Sequence, residues 1–133
     1  MKHFVAYLVG FAAFVAADML WLGVMTPRLY RPTLSDILSA TVNIPPAIAF
    51  YLLYPVGVVV FAISPALKSD SIAAAVIYGC LFGFFTYSTY DLSNYATLRN
   101  WSLPLTVLDI GWGTILTGFA AAISFWGTSR LLS

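Results

Sequence analysis

The chemistry this sequence can offer rests on aspartate. Asp18 and Asp109 lie inside long apolar runs, and Asp91 closes a third such run. A carboxylate in mid-membrane costs about 2.5–3.5 kcal/mol on insertion scales unless it faces protein or water, so each of these acids demands a partner. Asp36 and Asp70 fall in connecting segments, where solvation is explanation enough.

The neighbours say what those partners are. Asp18 and Asp109 each begin a D-x-x-W pattern, with Trp21 and Trp112 three residues on. That spacing puts each pair on one helix face, where an indole N–H can donate to the carboxylate. Around Asp91, Tyr87 and Ser88 precede and Asn94 and Tyr95 follow at helical spacing, with Tyr90 adjoining. They form a polar stripe that leads from the membrane into a loop. Tyr51 and Tyr54 can add phenols from another segment, and Arg99 is placed to serve as counter-ion or to hold a phosphate headgroup. These residues predict a polar, tyrosine-rich cavity open to one membrane face and lined by four helices.

The elements that must position them are set by composition. Of 133 residues 61% are hydrophobic, 17% aromatic and only 8% charged, with a net charge of +1. Soluble domains carry about 25% charged residues, so the solvent for this chain is lipid. Four apolar segments, 4–25, 44–64, 71–91 and 103–126, are long enough to cross roughly 30 Å of hydrocarbon at 1.5 Å per residue. The fold expected is all-α: a polytopic bundle of four transmembrane helices forming one domain over 1–133.

The first segment resembles a signal peptide up to Ala17, but its apolar stretch continues past Asp18 to Met25, so retention as a span is expected. Pro55 should kink the second. Pro32 can start a short interfacial helix in the first connector with Leu34, Ile37 and Leu38 on one face. Tyr30, Trp101 and Trp126 fall at segment ends as aromatic anchors. Small residues recur at Ala75, Gly79 and Gly83 and at Thr114, Gly118 and Ala122, two strips for close packing within one chain or across a dimer seam. Gly111 and Gly113 around Trp112 also suggest close packing.

An even number of crossings puts both termini on one side, with Lys2, Lys68 and Arg130; Arg28, Arg31 and Arg99 lie on the other, so charge does not orient the bundle. Counted along the helices, Asp18 is roughly 10 Å and Asp109 roughly 9 Å below the face opposite the termini, and Asp91 ends its helix on that face.

Several chemistries are excluded or demoted. Scattered single cations make no nucleic-acid footprint. The lone His3 is terminal and Cys80 sits in an apolar run, so histidine and cysteine metal sites lack their ligands, and the carboxylates match no calcium loop. No Ser-His-Asp set, phosphate loop or nicotinamide fingerprint is present. Neither a metal nor another cofactor is expected.

The stretch T-Y-D-L-S-N-Y-A-T-L-R-N-W from Thr89 to Trp101, with D-I-G-W-G from Asp109 and A-D-M-L-W-L-G from Ala17, resembles the bacterial membrane proteins grouped as domain of unknown function 2177. The resemblance covers nearly the whole chain and falls on Asp18, Trp21, Tyr90, Asp91, Asn94, Asp109 and Trp112. It implies a small four-helix protein of the bacterial inner membrane and names no reaction; a tendency of such genes to neighbour lipid-modifying enzymes points to membrane lipid as a partner. Three functions fit the residues. A binding or transport module whose acids hold a cation or exchange protons leads. A structural subunit, as a homodimer or within a membrane complex, and a lipid-modifying enzyme or its accessory are the alternatives.

Overall fold

The computed structural model describes residues 1–38 and 41–132. Four helices, each long and apolar enough to cross a membrane, account for nearly all of them: α1 Lys2–Leu34, α2 Ile44–Ser69, α3 Ile72–Thr97 and α4 Leu103–Leu132. This is the all-α polytopic bundle that the apolar runs predict. Lys2, Leu67, Asp70, Thr128 and Leu132 border one small cleft, so both chain ends and the second connector gather at one end of the bundle.

Every helix overruns its apolar run, because helices end at caps and not at the first polar residue. Ser71 caps α3 by accepting from the Ala74 N–H at 3.1 Å, and Ser102 caps α4 by accepting from the Leu105 N–H at 3.2 Å. Asp70, expected as a plain loop residue, ends α2 in the left-handed conformation at φ 49°. Contrary to expectation, Asp91 does not close its helix at a loop; α3 continues to Thr97, and the polar stripe around Asp91 stays helical.

The prolines also act differently from expectation. The interfacial helix is present only as Arg31–Leu34, and it prolongs α1 without a break through a π-helical turn, Thr26–Tyr30. α2 runs on through Pro55, and its irregularity is a second π-helical turn, Val59–Ile63, one turn later than expected. Each wide turn contains the residue four before a proline, Arg28 before Pro32 and Phe61 before Pro65. A proline ring clashes with the carbonyl four residues earlier, and an i→i+5 turn moves that carbonyl aside.

Two of the helices bury a narrow stripe. On α1 it is Ala6, Gly10, Phe14 and Asp18, and on α3 it is Ala75, Gly79, Gly83 and Asp91, all at multiples of four residues. Most of the remaining large side chains, such as Phe61, Phe85 and Ile115, are exposed to what would be lipid. α4 is the most buried helix and packs on both α3 and α1.

The small-residue strips meet within the chain. A Cβ on Gly79 would stand 2.8 Å from the Ala121 Cβ, a Cβ on Gly83 would collide with the Gly113 carbonyl, and the Tyr87 ring lies directly on Gly113. The α4 side of the seam is therefore Gly113, Thr117, Gly118 and Ala121; Thr114 and Ala122, expected there, fall beside it. Gly111, expected to pack closely, has open space around its Cα.

This register makes a testable contrast. Gly83→Ala should destabilise the protein by about 1–3 kcal/mol, because neither backbone can retreat. Gly111→Ala should stay within about 1 kcal/mol of the parent, on the stabilising side, since alanine is the better helix former. Equal melting temperatures for the two variants in one detergent would contradict the packing described.

Candidate functional site

The helices enclose a cavity of about 550 Å³, within the 300–1,000 Å³ range of small-molecule sites. α1 contributes Asp18, Trp21, Leu22, Thr26 and Tyr30; α2 contributes Phe50, Tyr51 and Tyr54; α3 contributes Thr86, Tyr87 and Tyr90; α4 contributes Asp109 and Trp112. Leu34, Leu38 and Trp101 border it toward the first and third connectors.

The two D-x-x-W motifs meet in this wall, but crosswise. Trp112 of α4 donates its indole N–H to Asp18 Oδ1 on α1 at 3.1 Å, and the Tyr51 hydroxyl of α2 donates to Asp18 Oδ2 at 2.5 Å. Trp21 of α1 donates to the Tyr30 oxygen at 2.9 Å, and Tyr30 in turn donates to Asp109 Oδ1. The indoles of Trp21 and Trp112 stack with centroids 4.5 Å apart and planes within 5°. The expectation that each acid bonds the tryptophan three residues on is thus corrected. Those pairs share a face, yet the Trp112 N–H crosses to α1 and Trp21 reaches α4 through Tyr30 of its own helix, so the motifs join α1 to α4 instead of decorating each separately.

Tyr54 sits deeper. Its hydroxyl is 3.0 Å from Thr86 Oγ1 and 2.9 Å from Thr117 Oγ1, tying α2 to both α3 and α4. Phe14 packs against it with ring centroids 5.0 Å apart.

Asp91 stands apart from the cavity. It is 0% exposed, and neither carboxylate oxygen has a hydrogen-bond partner. Its neighbour is set by register. Along α3, Gly79, Gly83 and Tyr87 lie against Ala121, Thr117 and Gly113 of α4, each step of four forward meeting a step of four back. The next step sets Asp91 opposite Asp109, and the two acids interact electrostatically. An isolated buried carboxylate costs several kcal/mol. The helix seam, which sets Asp91 against Asp109, is what holds it there.

Asp18, Trp21, Tyr51, Tyr54, Tyr87, Tyr90, Asp109 and Trp112 thus share one cavity, while Asp91 and Asn94 do not line it; Asn94 stands beside Tyr90. Arg99 is exposed, and among the described residues no salt bridge joins it to these acids, so the counter-ion expectation is not met. Tyr30 and Trp101, expected as interfacial anchors, are instead part of the wall. Trp101 is 8% exposed, packed with Leu34 and Leu105 and in edge contact with Tyr90 at 5.7 Å. The clue to Tyr30 is the pair Pro27 and Pro32. The π-helical turn adds a residue, rotates the chain beyond it by roughly 100°, and brings Tyr30 onto the side of Asp109.

A family description reading "predicted membrane protein" matches residues 3–126. No curated protein and no solved structure matches the chain.

The crossed pairing is open to a double-mutant cycle. Asp18→Asn combined with Trp112→Phe should show a coupling of about 1 kcal/mol in detergent unfolding, in the range of buried membrane hydrogen bonds. Asp18→Asn with Trp21→Phe, which share no hydrogen bond and are linked only through the Trp112 stack, should couple less strongly. The reverse ranking would contradict the geometry.

Proposed function

The chain belongs to the membrane-protein family called domain of unknown function 2177, and from that premise we propose that it is a binding or transport module of the bacterial inner membrane. Its ligand enters the carboxylate- and tyrosine-lined cavity from the membrane face that carries the first and third connectors.

The observation that carries this reading is the cavity itself. Protein interiors close-pack, and lost contacts around a void are costly. A bundle whose role is mechanical has every reason to fill such a space, and this sequence has the large side chains to do so. Instead it places Phe61, Phe85 and Leu53 on the exposed surface and leaves about 550 Å³ open beside two acids. The cavity presents acceptor oxygens, phenols and indoles, a set suited to holding and orienting a molecule.

A second reading, a scaffold subunit, draws support from the crossed bonds. Trp112 to Asp18 and Trp21 through Tyr30 to Asp109 are also what a clamp between α1 and α4 requires. The enzyme reading gains no comparable support.

The two are separated by filling the cavity. Leu22 lines it from α1, and Leu22→Trp should project an indole into the space without touching the acids. With N-phenyl-1-naphthylamine as a neutral fluorescent probe in detergent, the parent should bind saturably, and Leu22→Trp should bind about tenfold more weakly at an unchanged melting temperature. Equal binding by both proteins would refute the cavity as the site. Absence of saturable binding by the parent would favour the scaffold.

A further inference from the structure

We infer that the molecule received by the cavity is an organic cation: a positively charged centre seated at Asp18 and Asp109 and carrying apolar groups. This rests on the binding reading above and narrows it to a chemical class.

The charge of the wall is one-sided. It holds two carboxylates and no lysine, arginine or histidine. Every donor seen to reach them is a neutral group: Tyr51 and Trp112 at Asp18, Tyr30 at Asp109. A carboxylate offers about four lone-pair positions, so both acids keep acceptor capacity after these bonds. Asp91, wholly buried, stands behind Asp109 and outside the wall, so the charge that faces the cavity is that of Asp18 and Asp109. Arg99, the cation nearest in sequence to this motif, is exposed and outside the wall. An anion would meet two carboxylates and no cation here, and a neutral molecule would leave their charge unneutralised.

The rings point the same way. Nine of the lining residues are aromatic, and the π faces of tryptophan and tyrosine attract cations within about 6 Å, more strongly where water is excluded. Rings of this kind around carboxylates suit a quaternary or protonated amine, or a phosphonium, whose charge is spread over carbon substituents.

Size excludes a bare ion. A space of about 550 Å³ is far larger than a metal ion's coordination shell, and among the described residues no group of three His, Cys, Asp or Glu could hold a metal. The charge must therefore arrive on a bulky group.

Two probes of nearly the same shape and opposite charge test the class: tetraphenylphosphonium and tetraphenylborate, titrated by equilibrium dialysis into the full-length protein in a neutral detergent. The phosphonium should bind at least about tenfold tighter than the borate, and Asp18→Asn should shrink that preference. If the two ions bind the parent equally while the neutral probe still binds saturably, the cation assignment is wrong and the cavity reading stands. If no probe binds saturably, both fall. The comparison on the parent decides the matter even where Asp18→Asn unfolds.

Discussion

A carboxylate among acyl chains costs about 2.5–3.5 kcal/mol, and the three intramembrane acids of this bundle escape that cost by one device. Each lies on the stripe its helix turns toward protein. Asp18 extends Ala6, Gly10 and Phe14; Asp91 extends Ala75, Gly79 and Gly83; Asp109 precedes Gly113 and Leu116 on the buried side of α4. The acids then have to find donors in the space between helices, and the helices have to arrive at matching height for that to happen.

The donors do more than satisfy the acids. Because Trp112 reaches from α4 to Asp18, and Trp21 reaches through Tyr30 to Asp109, two similar motifs on separate helices become one clasp with a stacked indole pair at its centre. The clasp needs α4 in a defined register, and small residues set it. Gly79, Gly83, Gly113 and Gly118 let α3 approach α4 at backbone distance, which also brings Asp91 opposite Asp109. Close contact on that side contrasts with the aromatic-walled space on the other, where α2 stands off and contributes Phe50, Tyr51 and Tyr54. Tight seam and open cavity share a single helix, α4.

Several elements are readable in advance because hydrophobicity in a membrane is a one-dimensional signal. The four spans, the inward acids, the small-residue strip on α3 and the cluster of tyrosines all follow from residue type and spacing. The misplaced boundaries have one origin. Polar residues such as Asp91, Asn94 and Arg28 look like helix ends in a hydropathy pattern, whereas backbone hydrogen bonds continue past them along the helix. Both π-helical turns lie just ahead of a proline and rotate the following segment. That rotation is why Tyr30 and Leu34 face the site.

What the sequence determines by itself is the solvent, the number of crossings and the presence of unpaired carboxylates that must turn inward, since each depends on transfer energies of single residues along the chain. Which donor meets which acid was decided by tertiary structure alone. The D-x-x-W spacing puts Asp109 beside Trp112 on one face of α4, but the Trp112 indole N–H crosses to Asp18 on α1. Its partner depends on the height and rotation of α4, which the small residues of the seam and the prolines of α1 and α2 set together.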